Sequence, residues 1–372
     1  MPRMLPTLIS ITILALTSTH CSSISVSQIW PPNQKTTTNR NPNRTPVVIW
    51  HGLSDSYANP ALDDLAKKID LRYPGTTVYK IRLADSDPQD RRATWFGSAN
   101  EQVDSVCDQL AELDELSLGF DAIGLSQGGQ LMRAYVERCN RPHVRNLITL
   151  GSQHMGVSGT APCSGLFDLG CHVLHKLIES GTVYGPYAQQ KVIPAQYFRD
   201  QSNLAPYMKH NAFLRDINNE RWNDSQPVDS GSHPIGEPED GVEYEPRKEQ
   251  YKLNFQSLEN FVMFRFTADT LVIPPTSAYF TIPNATQSTL PDVLDPIPIA
   301  LQDLPIYQED YIGLKVLDEA GKIHYGTCVG AHMQIDETCW ENVMDWLGGR
   351  RRPEPAHSFL PEPQQQLVFQ QE

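Results

Sequence analysis

The amino-acid sequence predicts an α/β fold with a mostly parallel central sheet flanked by helices. Between residues 47 and 150, short apolar stretches of strand length alternate with segments of helical spacing. This alternation is typical of parallel β-α-β units. The chain has 372 residues, of which 40% are hydrophobic, so one large domain with insertions can bury a sizeable core.

The elements of this domain follow one another along the first half of the chain. Val47–Trp50 is an apolar stretch of strand length, whereas residues 100–113 carry apolar side chains at helical spacing. The predicted strands are 47–50, 77–83, 120–125 and 147–150, and the predicted helices are 61–72, 100–113 and 127–138.

The alternation ends after Gly151, and the second half of the chain is interpreted as insertions between fewer core elements. The predictions here are a helical cap insertion at about 154–223, an acidic loop at about 226–248, a strand at 261–266, a hairpin at 314–325 turning at 319–321, and a closing helix at 337–347. The α/β domain is therefore expected at 46–347, followed by a disordered tail at 348–372.

Residues 1–24 have the composition of a secretory signal peptide. Arg3 supplies a positive start, and Leu5–Leu16 is mostly apolar but too short to span a bilayer. An uncleaved membrane anchor is the alternative interpretation. A polar linker is expected at 25–45, and no later stretch of the sequence predicts a membrane span.

Cysteine and asparagine usage agrees with export through an oxidising compartment. Of the seven cysteines, Cys21 falls in the predicted signal peptide, and the other six are an even number suited to disulfides. Six cysteines allow 15 pairings, among which the sequence does not choose. Asn223 and Asn284 begin glycosylation sequons, and Asn43 begins a third that is weakened by Pro46.

Charge and cysteine spacing disfavour several function classes. The net charge is −14, so the chain repels the phosphate backbone of nucleic acids. No close cysteine spacing resembles a zinc site, and we expect neither a metal nor a cofactor. The sequence leaves the oligomeric state open.

The most informative motif is Gly124-Leu125-Ser126-Gln127-Gly128, which fits the G-x-S-x-G nucleophile elbow. An apolar strand leads into it and a helix leads out, as the motif requires. Glycines are needed on both sides of the serine because neighbouring backbone approaches closely there. An ordinary β-α turn is the alternative. The motif predicts the α/β-hydrolase fold, with Ser126 as the nucleophile.

A serine nucleophile needs a base and an acid that orients the base, in the chain order Ser, Asp or Glu, His for this fold. Asp269 follows a predicted strand, and His332 precedes the closing helix. Competing candidates are Asp310 or Asp336 for the acid and His324 for the base, although His324 lies in a predicted strand. Two further histidines come too early in the chain for the base but could line the cleft, His51 and His154.

The tetrahedral intermediate of acyl transfer carries an oxyanion that needs backbone N–H donors. One donor is predicted at Gln127, directly after the nucleophile. The second is expected in the loop after strand 47–50, where Leu53 follows a His-Gly pair similar to the HG motif of lipases and esterases. A plain glycine turn is the alternative interpretation of that loop.

Six sequence blocks resemble the lysosomal palmitoyl-protein thioesterase family, in the same order. The blocks are VVIWHGLSDS, AIGLSQGGQLMRA, LITLGSQHMGV, AQYFRD, LRDINNER and FVMFRF. The resemblance extends from about Pro46 to Leu347 and leaves out the signal peptide, the acidic loop and the tail. The combination of GLSQGGQ with GSQH and INNER is far more specific than an elbow alone.

The resemblance implies site residues by position. Ser126, Asp269 and His332 match the family's catalytic positions, and Leu53 and Gln127 match its oxyanion positions. The implied disulfides are Cys107–Cys139 and Cys163–Cys171. An adjacent cysteine pair of the family is replaced here by Tyr57-Ala58, whereas Cys328 and Cys339 are extra and are predicted to bond to each other.

The resemblance also implies a reaction. It is hydrolysis of palmitoyl and other long-chain acyl thioesters on S-acylated cysteines of proteins or peptides, through an acyl-serine intermediate, with the cap holding the acyl chain. The implied location is the lysosome, the vacuole or the cell exterior. Triad chemistry does not separate thioesters from oxygen esters, so a secreted lipase or carboxylesterase is the alternative. A catalytically silent binding protein is a third hypothesis, against which the complete triad argues.

Overall fold

The computed structural model describes residues 41–163, 168–222, 246–284 and 298–348. The predicted signal peptide lies outside these ranges, as do Asn223, most of the predicted linker, nearly all of the predicted tail and most of the acidic loop. Among the described residues, no helix combines the length and the apolar character needed to cross a bilayer.

One parallel sheet of six strands forms the centre of the described part of the chain. The strands are β1 (Val47–Trp50), β2 (Val78–Lys80), β3 (Phe120–Leu125), β4 (Val144–Leu150), β5 (Asn260–Phe266) and β6 (Ile323–Cys328). They lie side by side in the order β2-β1-β3-β4-β5-β6, and every neighbouring pair is parallel. The predicted α/β fold is therefore confirmed.

Helices cover both faces of the sheet. Within the described ranges they are α1 (Pro60–Arg72), α2 (Asp87–Ala93), α3 (Ala99–Ala111), α4 (Gln127–Arg138), α5 (Leu169–Glu179), α6 (Pro186–Lys191), α7 (Leu204–His210), α8 (Leu214–Ile217), α9 (Glu249–Gln256), α10 (Pro305–Gln308), α11 (Leu314–Glu319) and α12 (Glu337–Met344). Short 3-10 helices lie at Asp114–Leu116, Ile193–Tyr197, Pro275–Tyr279 and Leu301–Asp303.

The strands distribute their side chains between two apolar cores, one on each face of the sheet. In β1, Val48 and Trp50 join the core that contains α3 and α4, whereas Val47 and Ile49 join the core that contains α1 and α12. Successive residues of a strand point to opposite faces, so a sheet buried on both faces needs continuous apolar strands. For this reason β1 appears in the sequence as an apolar run.

The predicted hairpin at 314–325 is wrong. This stretch contains helix α11, a turn, and the first residues of β6. Leu314 and Leu317 are both buried on one face of the helix, three residues apart. Because β6 runs parallel to β5, it needs a crossover connection and cannot be reached by a tight hairpin. Helices α2 and α9 also differ from the prediction, which placed no helix at either position.

A buried carboxylate lies in β3. Asp121 Oδ1 accepts a hydrogen bond from the Asn146 side chain at 2.8 Å, and Asp121 Oδ2 accepts one from the Gly348 N–H at 2.8 Å. Burial opposes ionisation more strongly than these donors favour it, and it raises the pKa of Asp121 to about 6. The same carboxyl connects the end of the described chain to the sheet.

We expect Asp121 to make the folded state less stable as the pH rises from about 4 to about 6. The folded state binds this proton more tightly than the unfolded state, in which the pKa is near 3.8. The stabilising contribution is therefore present at low pH and is lost as the pH rises through 6, by roughly 3 kcal/mol. Urea unfolding measures the free energy of unfolding at pH 4 and at pH 7. The value at pH 4 minus the value at pH 7 should be a smaller difference for D121N than for the parent protein. Equal differences would contradict this assignment.

Candidate active site

Ser126 lies between β3 and α4, at the carboxyl edge of the sheet. Its φ is 52° and its ψ is −122°, a left-handed backbone that residues with a Cβ rarely adopt. The Ser126 N–H donates to the Leu150 carbonyl oxygen at the end of β4, at 2.8 Å. Backbone strain of this kind persists only when the surroundings hold it, and it is a property of nucleophile elbows.

Glycines next to the serine allow three backbone segments to approach one another. A Cβ on Gly124 would lie 2.2 Å from Gly129 Cα, and a Cβ on Gly128 would lie 2.2 Å from the Trp50 carbonyl oxygen. Real Cβ atoms do not approach backbone this closely, so any side chain at these positions would push β1, β3 and α4 apart. The glycines of the motif are therefore required by packing.

Three side chains that are distant in the sequence form one hydrogen-bonded chain at this edge. His332 Nε2 lies 2.8 Å from Ser126 Oγ, and His332 Nδ1 lies 2.6 Å from Asp269 Oδ2. Asp269 Oδ1 accepts hydrogen bonds from the Leu271 and Val272 N–H groups at 2.9 and 3.0 Å. The His332 and Asp269 side chains are 8% and 3% exposed, so water competes little for these bonds.

The alternative acids belong to other interactions. Asp310 forms an ion pair with the Lys252 ammonium at 2.9 Å. Asp336 accepts a hydrogen bond from the Cys339 N–H at 2.8 Å, which caps the start of α12. The carboxylate that contacts His332 is therefore that of Asp269.

The alternative histidines are also engaged elsewhere. His324 lies in β6, where its Nε2 is 3.0 Å from Asn260 Oδ1. His154 is fully buried among aromatic rings, and this burial holds its pKa well below the usual range. His51 Nε2 lies 2.9 Å from Asp90 Oδ2, and both side chains are fully buried.

The loop after β1 lies against the serine. A Cβ on Gly52 would lie 3.1 Å from Ser126 Cβ. The Leu53 N–H forms no hydrogen bond with any other residue that the structure describes. Gln127 is the first residue of α4, where backbone N–H groups have no carbonyl partner within the helix. Gln127 thus directly follows the nucleophile, and Leu53 directly follows Gly52, which packs against it.

The connection between β4 and β5 carries α5 to α9 and contacts the elbow helix. The Tyr197 hydroxyl donates to Gln127 Oε1 at 3.0 Å. The Arg133 guanidinium in α4 donates to the His154 carbonyl oxygen at 3.2 Å and to Asn218 Oδ1 at 2.9 Å. The cap at about 154–223 falls within this connection, and its bounds stay a prediction.

Three disulfides join the six cysteines of the described chain, in the two pairs that the family resemblance implies and in the third pair predicted for the two extra cysteines. They are Cys107–Cys139, Cys163–Cys171 and Cys328–Cys339. The third joins the end of β6 to α12, with a separation of 11 residues along the chain. His332 lies inside the ring that this bond closes.

Most of the chain matches a known protein family. Residues 46–332 match the family model described as Palmitoyl protein thioesterase. The chain belongs to the palmitoyl protein thioesterase family. The membership confirms the resemblance that the six sequence blocks indicate.

Relatives within the palmitoyl protein thioesterase family cover most of the chain. Palmitoyl-protein thioesterase 1 of Caenorhabditis elegans is 33% identical over 300 residues, which are 80% of this chain and 90% of that protein. A palmitoyl-protein thioesterase-dolichyl pyrophosphate phosphatase fusion of Schizosaccharomyces pombe is 32% identical over 78% of this chain and 41% of the fusion. The lysosomal thioesterase PPT2 homolog of Drosophila melanogaster is 28% identical over 82% of this chain and 85% of that protein.

Some residues near the site of this palmitoyl protein thioesterase family member are not identified by sequence reasoning. Asp90 accepts hydrogen bonds from three backbone N–H groups and lies against His51. Thr94 and Trp95 contact the loop after β1. All three belong to α2 or its end, and the sequence marks only the start of that helix, through a proline in its first turn.

Proposed function

We propose that this chain hydrolyses thioesters of palmitate and other long-chain fatty acids on S-acylated cysteines of proteins or peptides. The observation that carries the proposal is the hydrogen-bonded chain Asp269–His332–Ser126 in a member of the palmitoyl protein thioesterase family. Ser126 is the proposed nucleophile, His332 the general base, and Asp269 the acid that orients the base. The Leu53 and Gln127 N–H groups are the proposed oxyanion donors.

The first half of the proposed reaction forms an acyl-serine. His332 Nε2 accepts the Ser126 proton while Oγ attacks the thioester carbonyl carbon, and Asp269 stabilises the imidazolium that results. When the tetrahedral intermediate collapses, the carbon–sulfur bond breaks and the imidazolium protonates the departing cysteine sulfur. A thiol has a pKa of about 8.5, so it leaves with less protonation than an alcohol needs.

The second half releases the fatty acid. His332 Nε2 accepts a proton from water while the water oxygen attacks the acyl-serine carbonyl carbon. Collapse of this second intermediate breaks the ester bond, and His332 returns the proton to Ser126 Oγ. The same two N–H groups hold the oxyanion in both halves, because the negative charge develops on the same carbonyl oxygen.

We place the proposed activity in the secretory pathway, in the lysosome or vacuole or outside the cell. A Drosophila melanogaster relative carries the name lysosomal thioesterase. Three disulfides also favour an oxidising compartment. Glycosylation at Asn223 and Asn284 belongs to the same proposal, as does acyl-chain binding by the cap at about 154–223.

The test of this function compares two matched substrates on the purified chain. One is a palmitoyl-cysteine peptide, and the other is the same peptide with palmitoyl-serine in place of the thioester. We expect the thioester to be hydrolysed faster. Much faster hydrolysis of the palmitoyl-serine peptide would support a lipase or carboxylesterase instead. A chain that hydrolyses neither and resists a fluorophosphonate probe would be a binding protein.

A further inference from the structure

Residues 91–95, which form the end of α2 and the turn after it, contact both sides of the proposed oxyanion site. On one side they bond to Ser54, which directly follows Leu53. On the other side they bond to the Gln127 side chain. We call residues 91–95 the α2 end segment.

Ser54 bonds to the α2 end segment through all of its polar groups. The Ser54 N–H donates to Thr94 Oγ1 at 2.9 Å, and the Ser54 carbonyl oxygen accepts from Arg91 Nη1 at 3.0 Å. Ser54 Oγ accepts from Trp95 Nε1 at 2.7 Å. The φ of Ser54 is 64°, a conformation that a non-glycine residue keeps only when its surroundings hold it. These three bonds therefore hold Ser54, the residue that follows Leu53, against the α2 end segment.

Gln127 is held by the same threonine. Gln127 Nε2 donates to the Thr94 carbonyl oxygen at 3.1 Å, and Gln127 is 1% exposed. The Thr94 hydroxyl donates its own proton to the Arg91 carbonyl oxygen at 2.7 Å. Its oxygen consequently presents a lone pair to the Ser54 N–H. One buried residue thus bonds to the two chain segments that carry the proposed oxyanion donors.

We propose that Thr94 is a positioning residue that fixes the Leu53 and Gln127 N–H groups relative to each other and to Ser126. This inference rests on the proposed oxyanion roles of Leu53 and Gln127. The oxyanion exists only in the transition state and the intermediates, so misplaced donors lower kcat and leave KM nearly unchanged. The Thr94 hydroxyl both donates to the Arg91 carbonyl and accepts from the Ser54 N–H, and a methyl group in its place can do neither.

The test compares Thr94→Val, which keeps the shape but loses both hydroxyl bonds, with Thr94→Ser, which keeps them. Thr76→Val is the matched control. Thr76 is also buried, and its hydroxyl also donates to the carbonyl three residues earlier, that of Tyr73, at 2.7 Å. Thr76 precedes β2 and therefore lies at the amino edge of the sheet, opposite the site.

Each variant is first titrated with a fluorophosphonate probe to count its reactive serines. Its KM and its kcat per titrated serine are then measured on palmitoyl-cysteine peptide. We expect Thr94→Val to lower kcat about 10- to 100-fold, less than the loss of a whole oxyanion donor, with KM within about twofold. Thr94→Ser and Thr76→Val should stay within about threefold of the parent kcat. Thr94→Ala replaces the valine variant if the latter does not fold.

A kcat for Thr94→Val or Thr94→Ala within twofold of the parent would overturn the proposal, as would an equal loss in Thr94→Ser. Failure of the proposed function is a separate result, because the parent itself would then not hydrolyse the thioester. In that case the same variants are compared on a p-nitrophenyl ester. That reaction forms the same oxyanion, so the same kcat pattern is expected and an unchanged kcat would again overturn the role of Thr94.

Discussion

A Ser126→Ala variant should hydrolyse palmitoyl-cysteine peptide about 10⁴- to 10⁶-fold more slowly than the parent protein. The methyl group cannot attack the carbonyl carbon, so His332 has no hydroxyl from which to accept a proton. Residual rate would come from the oxyanion donors and from substrate positioning. Substrate binding should change little, because the substitution removes one oxygen atom at the reacting centre.

The control for this variant is Ser117→Ala, which removes a hydroxyl bonded to the Asp114 carbonyl oxygen on an exposed turn. Its rate should match that of the parent protein. Thermal unfolding should confirm that Ser126→Ala folds, since alanine tolerates the backbone of residue 126 as well as serine does. More than about 1% of the parent rate in a folded Ser126→Ala protein would show that another residue is the nucleophile.

We expect Asp269→Asn to lower kcat by about 10³- to 10⁴-fold. Asp269 Oδ1 is held by the Leu271 and Val272 N–H groups, so the single oxygen of asparagine must occupy that position. The asparagine NH₂ would then face His332 Nδ1, which must become an acceptor. The neutral His332 ring would consequently carry its proton on Nε2. That nitrogen could then no longer accept the proton of Ser126.

Asp336→Asn is the matched control, because it makes the same change to a carboxylate that caps α12, and asparagine is an equally good N-cap. Its kcat should equal that of the parent. For both variants kcat is expressed per serine that reacts with a fluorophosphonate probe, so that misfolded protein does not lower the value. If Asp269→Asn retained a tenth of the parent kcat, the tautomer argument would be wrong.

The part of the fold that can be predicted from the sequence is the part buried on both faces. Strands β1 and β3 are completely buried and, apart from Asp121, appear as apolar runs. The edge strand β6 is buried only at its two ends, and half-buried and exposed residues alternate between them; Tyr325 is 45% exposed. Because β6 lacks an apolar run, the turn before it resembles a hairpin, although the preceding residues form a helix.

The proposed triad can be predicted because each member follows a recognisable element in a fixed chain order. The packing around Gly124 and Gly128 leaves a sequence motif, whereas hydrogen bonds to a single threonine do not. Thr94 is 40 residues from Ser54 and 33 from Gln127 in the chain. Such contacts depend on how α2 packs in three dimensions, which neither composition nor periodicity specifies.

The bond between Cys328 and Cys339 has a consequence for where the chain can be active. It closes a small ring around His332, so its formation restricts the loop that presents the proposed base. A chain kept in the reducing cytosol would lack this restraint, and the imidazole of the proposed base would be less well held.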